Sequence, residues 1–266
     1  MAALSSAQIG ALSSDQLQAL TTSQLRALSG EQLASLSSDD LNALSASQLA
    51  SLSTTRLAAL TTSQLQAMGS DELQALTTDQ VRGLTTAQIA GIASDDLNLL
   101  TTAQFAALTT AQITAMTSNQ VSNLESEDLR ALGTAQIRAI EARDVAAFDS
   151  DDLATLTSSQ LRAMTSDQLR AIDTADIGGI AAATLATLTS QQVSLLLTRQ
   201  LGALGSDQLQ GLGSSQLRGL TTQQLAALGT DDLNTLTTAQ FAALSSGQIA
   251  SLTSTQVASL ESADLA

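Results

Sequence analysis

The sequence contains no cysteine, histidine, proline, tryptophan or tyrosine, and phenylalanine occurs only three times. Without cysteine no disulfide can form. Since lysine is also absent, the usual general bases and nucleophiles of enzymes are missing. The scarcity of aromatic rings removes stacking platforms for nucleic-acid bases, and no apolar run approaches the length of a membrane span. These absences predict a protein that is not an enzyme, has no catalytic residue and does not insert into a membrane.

The charge of the chain is strongly acidic. It has 25 acidic residues against 10 basic ones, all of them arginine, and a net charge of −15. This balance disfavours nucleic acids and anionic membranes as partners. The first four residues lack the basic and apolar regions of a signal peptide. Three interpretations remain open: the chain is a cytosolic protein, a protein exported by another route, or a segment of a longer chain.

An eight-residue unit, the octad, repeats 32 times without a gap from Ser5 to Leu260, and a partial copy begins at Glu261. We number its positions 1 to 8. Position 1 is mostly Ser or Thr, position 4 is Gln or Asp in nearly all copies, positions 5 and 8 are always apolar, and position 7 is usually Ala, Gly or Ser. This regularity predicts that residues 1–266 form a single repeat array.

One continuous helix does not fit the octad, because eight residues overshoot two helical turns by roughly 80°. A strand fits poorly, because apolar spacings of three and five point successive side chains to opposite faces. A β-solenoid nevertheless stays as the alternative fold.

A short helix in every octad explains all the positions together. Ser or Thr at position 1 and Gln at position 4 form a capping box, and position 8 of the preceding octad forms a hydrophobic staple with position 5. The small residue at position 7 predicts a closely packed neighbouring helix. Because so short a helix is unstable alone, the octads must stack. The sequence therefore predicts an all-α solenoid shaped as an elongated rod.

The octads are grouped into larger blocks of seven, which begin at residues 13, 69, 125, 205 and 261. The block from 125 to 204 carries three extra octads, which we place within residues 181–204. In that irregular stretch Thr184 replaces Gln at position 4, and Leu197 occupies the N-cap position. The stretch is interpreted as drift after a duplication; the alternative is a bend or a partner-contact patch.

Certain charges recur at matching places in the blocks. Arginine stands at position 6 of the second octad, and an acidic pair stands at positions 3 and 4 of the fourth. The arginines are Arg26, Arg82, Arg138 and Arg218, and the pairs are Asp39 and Asp40, Asp95 and Asp96, Asp151 and Asp152, and Asp231 and Asp232.

These carboxylates are candidate Ca²⁺ ligands, although acids that favour a helix N-terminus are the preferred interpretation. We expect three to four octads in each coil of the solenoid. With three and a half octads in each coil, the acidic pairs fall on the same side of the solenoid every second coil.

The segments 100–108 and 108–116, each an octad together with the residue before it, read Leu-Thr-Thr-Ala-Gln, then Phe or Ile, any residue, Ala, and Leu or Met. They resemble the octapeptide repeat arrays of large bacterial surface or secreted proteins. The resemblance implies an extracellular or cell-surface location and the role of a spacer or an adhesin-like stalk that responds to calcium. Alternative hypotheses are a protein-binding scaffold that uses one charged face, and a rod stabilised by Ca²⁺. No cofactor is otherwise indicated, and neither the partner nor the oligomeric state is predicted.

Overall fold

The computed structural model describes Met1 and residues 3–261, and the chain divides into two units, Met1–Ala139 and Ile140–Ala266. The described residues form 31 short α-helices and one 3-10 turn, with no strand. The prediction of an all-α solenoid is therefore confirmed, and the alternative of a β-solenoid is wrong. The octad pattern runs through both units. The block predicted to begin at residue 261 lies, apart from Glu261, outside the described residues.

The helices follow the octads one by one. The first unit contains α1 (Ser6–Ile9), α2 (Ser14–Gln18), α3 (Thr22–Arg26), α4 (Gly30–Ala34), α5 (Ser38–Asn42), α6 (Ala46–Ala50), α7 (Thr54–Leu57), α8 (Thr62–Gln66), α9 (Ser70–Ala75), α10 (Thr78–Gly83), α11 (Thr86–Gly91), α12 (Ser94–Leu97), α13 (Thr102–Ala107), α14 (Thr110–Ala115), α15 (Ser118–Ser122), α16 (Ser126–Ala131) and α17 (Thr134–Ala139). The second unit contains α18 (Ala142–Val145), α19 (Ser150–Thr155), α20 (Ser158–Ala163), α21 (Ser166–Ala171), the 3-10 turn η1 (Ile177–Gly179), α22 (Ala182–Leu185), α23 (Ser190–Leu195), α24 (Thr198–Leu201), α25 (Ser206–Gly211), α26 (Ser214–Gly219), α27 (Thr222–Ala226), α28 (Thr230–Asn234), α29 (Thr238–Ala242), α30 (Ser246–Ala250) and α31 (Ser254–Ser259).

Most of the helices begin with the predicted capping box. At α13 the backbone N–H of Gln104 donates to Thr101 Oγ1 at 3.3 Å, and the backbone N–H of Thr101 donates to Gln104 Oε1 at 2.7 Å. Where glycine replaces the hydroxyl residue, half of the box remains, since the N–H of Gly205 still donates to Gln208 Oε1 at 2.9 Å. Position 4 therefore defines where each helix begins even when position 1 varies.

The helices end without the left-handed residue that commonly terminates an α-helix. No residue in the described part of the chain has a positive φ. Instead, position 8 adopts an extended conformation, as Leu84 does at φ −62° and ψ 144°. Together with the extended N-cap that follows, such as Thr85 at φ −72° and ψ 157°, this residue redirects the chain into the next helix, so the array needs neither glycine nor proline at its turns.

Successive octads wind into a coil of three and a half octads. Within each unit a helix packs mainly against the helix three octads away. Position-4 side chains reach backbone carbonyls four octads earlier, 28 and 31 residues back along the chain. The expectation of three to four octads per coil is confirmed. Positions 5 and 8 face the inside of the coil, where Leu73 and Phe105 are fully buried.

The small residue at position 7 reflects the predicted close approach between coils. A Cβ atom added to Gly179 would overlap the backbone oxygen of Ser150, and one added to Gly83 would lie 2.5 Å from the Cβ atom of Thr54. In both cases the neighbour is position 2 of the octad three units earlier. A larger side chain would therefore push neighbouring coils apart.

The most irregular octad is residues 173–180, which forms η1 in place of an α-helix. The sequence placed the irregular stretch at residues 181–204, but those residues form three α-helices, α22 to α24. The departure from helical geometry thus lies one octad earlier than the departure from the sequence pattern. Gly178 and Gly179 occupy this octad, and glycine disfavours helical backbone because of its conformational entropy.

Substitution of the two adjacent glycines tests the close approach of the coils. We expect Gly179→Ala to lower the free energy of unfolding by about 1–3 kcal/mol, because its methyl group meets fixed backbone. Gly178→Ala is the matched control, since no atom lies within 4 Å of its added Cβ, and we expect it to be neutral or to stabilise by about 0.4–1 kcal/mol. Urea denaturation measures both. Equal effects would contradict the packing described for position 7.

Candidate functional site

The side chain of Gln at position 4 joins each coil to the preceding one. Besides accepting from its own N-cap, Gln104 uses Nε2 to donate to the carbonyl oxygens of Leu73 and Leu76 at 2.8 and 2.7 Å, and it is only 2% exposed. We call this pair of intercoil bonds a glutamine bridge. One amide group thus satisfies the N-terminus of one helix and the C-terminal carbonyls of another, which short helices otherwise leave without partners.

Glutamine bridges recur along both units. Full pairs of bonds to the carbonyls 31 and 28 residues earlier are formed by Gln48, Gln64, Gln80, Gln88, Gln104, Gln112, Gln120, Gln136, Gln200, Gln208, Gln216, Gln224, Gln240, Gln248 and Gln256. Sequence reasoning assigned these residues only to capping. The available signal was the preference for Gln over Glu at position 4, since Glu completes a capping box equally well but has no amide hydrogen to donate.

Position 6 provides a second intercoil bond. In several octads its side chain donates to the carbonyl oxygen 25 residues later, as Arg26 Nε does to Ser51 at 2.9 Å and Arg218 Nε does to Ala243 at 2.8 Å. The asparagines that follow three of the acidic pairs make the same bond: Asn98 Nδ2 donates to the carbonyl of Asn123 at 2.6 Å. The recurrence of Arg and Asn at this position therefore has a structural cause that the sequence did not reveal.

The four predicted acidic pairs lie in the first turns of α5, α12, α19 and α28. In each pair the position-3 carboxylate is exposed and the position-4 carboxylate is half-buried. Asp40 accepts hydrogen bonds from Ser37 Oγ at 2.6 Å and from Ser14 Oγ at 3.2 Å. Nowhere in the described ranges do three or more acidic side chains converge as metal ligands would. The positions match acids at helix N-termini, and calcium binding stays a prediction.

Asp128 is the most perturbed of the position-4 acids. It replaces the bridging Gln in α16, and its side chain is only 4% exposed. Burial, together with the charges of Glu125 and Glu127, raises its pKa from 3.8 to about 7. Burial, followed by the neighbouring acids Asp149 and Asp151, likewise raises the pKa of Asp152, opposed by a backbone hydrogen bond. Both groups lack the amide of Gln and keep their protons to a higher pH than an exposed acid does.

The raised pKa of Asp128 predicts a pH-dependent stability. The folded protein holds this proton more tightly than the unfolded chain, so the contribution is complete below about pH 4 and is lost as the pH rises to about 7. We expect Asp128→Asn to increase the urea midpoint more at pH 8 than at pH 5. Asp79→Asn, which removes an exposed acid, is the control and should show no such difference. A shift for Asp128→Asn that is the same at both pH values would contradict the assignment.

No helix in the part of the chain that the structure describes is long and apolar enough to cross a membrane. This agrees with the expectation from the sequence. The individual helices are four to six residues long.

Comparison with known proteins identifies the repeat. A model of the ALTTAQ repeat family matches nine stretches, residues 1–30, 22–54, 33–70, 54–86, 89–124, 121–151, 145–179, 201–238 and 225–262. The comparison with curated proteins found no match. The matched stretches follow the octads in both units and together cover well over half of the sequence. The chain belongs to the ALTTAQ repeat family.

Proposed function

We propose that the chain is a non-catalytic structural spacer, or adhesin-like stalk, that works outside the cell or at its surface. The observation that carries the proposal is the glutamine bridge, which joins coil to coil by the same two bonds through most of each unit. An array held together by identical local links can be extended without redesign. The resemblance to arrays of large bacterial surface or secreted proteins supports the location.

The expected spacing follows from helix packing. Neighbouring helices pack with their axes about 8–10 Å apart, so each coil adds about that distance along the axis of its unit. Ser23, Asp79 and Ala135 all occupy position 3, are exposed, and follow one another at intervals of seven octads, or two coils. They mark equivalent places at three heights in the first unit.

Spin labels on these three residues test whether the unit acts as a stiff spacer. Because the protein has no cysteine, the variants Ser23→Cys/Asp79→Cys and Ser23→Cys/Ala135→Cys can be labelled at the chosen sites alone. Pulsed electron spin resonance should give backbone separations of about 16–20 Å and about 32–40 Å, from the packing distance between helices.

The control pair is Asp79→Cys with Ala135→Cys, which should repeat the shorter distance. Narrow distance distributions, with a mean distance that doubles when the separation grows from two coils to four, support a spacer. Broad distributions, or a longer distance that fails to grow with the number of coils, would reject the spacer role even if the helices are intact.

A second candidate is a protein-binding scaffold, which the charge distribution of the first unit favours. Asp39 and Asp95 are seven octads apart and therefore share one side of the coil, whereas Arg26 and Arg82 share another. Arg26 precedes Asp39 by nearly half a coil, so the acidic and basic sides face nearly opposite directions. A partner for the acidic side would carry positive charge.

Two variants of equal net charge test this candidate with an oligolysine peptide as the probe. Asp39→Asn/Asp95→Asn neutralises two exposed acids on the acidic side, whereas Glu31→Gln/Asp79→Asn neutralises two exposed acids elsewhere. At low salt we expect the first variant to weaken binding several-fold more than the second, because the charges act within about a Debye length. Equal weakening would indicate a response to net charge alone and would remove the scaffold candidate.

A further inference from the structure

Three consecutive octads of the second unit, residues 173–196, make no regular glutamine bridge to the coil before them. Position 4 is Asp176 in the first octad and Thr184 in the second, and neither side chain has an amide group. In the third octad, Gln192 donates instead to the carbonyl of Arg162 at 2.9 Å, 30 residues back. Six carbonyls therefore receive no bridging amide, namely those of Val145, Phe148, Leu153, Leu156, Leu161 and Met164. We call the boundary between residues 145–172 and residues 173–196 the seam.

Only single side-chain bonds cross the seam, within the described residues, in place of the bridges. Asp176 accepts from Ser150 Oγ at 3.1 Å, and Arg170 Nε donates to the carbonyl of Leu195 at 3.2 Å. The bond from Gln192 is the third. Apolar packing and the close contact at Gly179 supply the remaining cohesion.

The other side of residues 173–196 is bridged normally. Gln208 donates to the carbonyls of Ile177 and Ile180, and Gln216 donates to those of Leu185 and Leu188. Gln224 bridges to the third octad, with a bond of 2.6 Å to Leu196. The segment is therefore tied firmly to the coil that follows and weakly to the coil that precedes.

Interruptions in the first unit are isolated and differ from the seam. Glu72 replaces Gln in one octad, but Gln64 and Gln80 on either side both form complete bridges. Asp96 is likewise flanked by the bridges of Gln88 and Gln104. Among the described octads that have a coil before them, three neighbours lose the regular bonds only at the seam, and three octads are almost one full coil. The family match also skips residues 180–200, most of which belong to this segment.

We propose that the seam is a built-in opening point, at which residues 145–172 and 173–196 separate before the other coils of the second unit do. Stability in repeat arrays is the sum of local terms between neighbours, so an array opens where consecutive links are weakest. Each hydrogen bond that is missing weakens its link, and here the loss falls on three adjacent links. If the proposed spacer role holds, the seam is where the spacer lengthens under tension.

Hydrogen exchange on the full chain tests the seam directly. The amides of Leu185 and Val193, both hydrogen-bonded in their helices, should exchange faster than those of Leu217 and Leu225 in fully bridged octads. Thr184→Gln supplies the amide that the bridge to Leu153 and Leu156 requires. We expect it to slow exchange in residues 182–195 by about five- to hundredfold, the effect of two added hydrogen bonds.

Ala183→Gln is the matched control, because it adds the same side chain at an exposed position of the same helix. It should leave exchange in residues 182–195 unchanged. Equal protection of the seam and the bridged octads in the unmodified protein would overturn the proposal, as would equal effects of Thr184→Gln and Ala183→Gln. Slow exchange at the seam would reject the opening point but not the spacer role. Spin-label distances that disagree with the expected values would reject the spacer role but not the opening point.

Discussion

The side-chain amide at position 4 is the interaction on which the rest of this structure depends. A helix this short leaves most of its backbone groups without intrahelical partners, and burying them unpaired costs free energy at every octad. Gln provides an acceptor for the N-terminus of its own helix and two donors for carbonyls in the preceding coil. The coil of three and a half octads is the winding that brings those carbonyls within reach. Glu and Asp offer only acceptors, so an octad that carries either at position 4 cannot form the bridge.

Local features of the fold could be predicted from the sequence because they act within one octad. The capping box and the staple involve residues close along the chain, and the inward positions 5 and 8 and the small position 7 are visible as a pattern that nearly every octad repeats. The glutamine bridge could not be predicted, because it joins octads a full coil apart, and that separation is known only once the coil is known. The same holds for Arg26 and Asn98, whose partners lie 25 residues later. The 3-10 turn at Ile177–Gly179 was also missed, because that octad keeps both of its apolar positions.

The acidic substitutions at position 4 show how the two roles of Gln separate. Asp40 still accepts a hydrogen bond from the hydroxyl of Ser37, its N-cap residue, but its carboxylate cannot donate a hydrogen bond to the preceding coil. The cost of that exchange depends on the surroundings. At Asp128, burial and two neighbouring carboxylates disfavour the charged form and raise its pKa. The acidic pairs thus match acids at helix N-termini, and calcium binding at them stays a prediction.

The block length distinguishes the two candidate functions. Seven octads are two whole coils, so within the first unit each block returns equivalent side chains to the same side. In the second unit Asp151 and Asp231 are ten octads apart, which is half an octad short of three coils. The acidic pair at Asp231 is therefore rotated about the coil axis by about a seventh of a turn relative to the pair at Asp151. Within the second unit the helices around the insertion still pack against those three octads earlier, as η1 does against α19 and α23 against α21, so the insertion leaves the winding of this unit unchanged.

A spacer requires only that continuous winding. A binding surface for a charged partner also requires that equivalent charges return to the same side of the coil after every two coils. The three extra octads preserve the winding but shift the equivalent charges away from the same side. The second unit therefore tolerates a change that a binding face extended along it would not, and this favours the spacer over the scaffold.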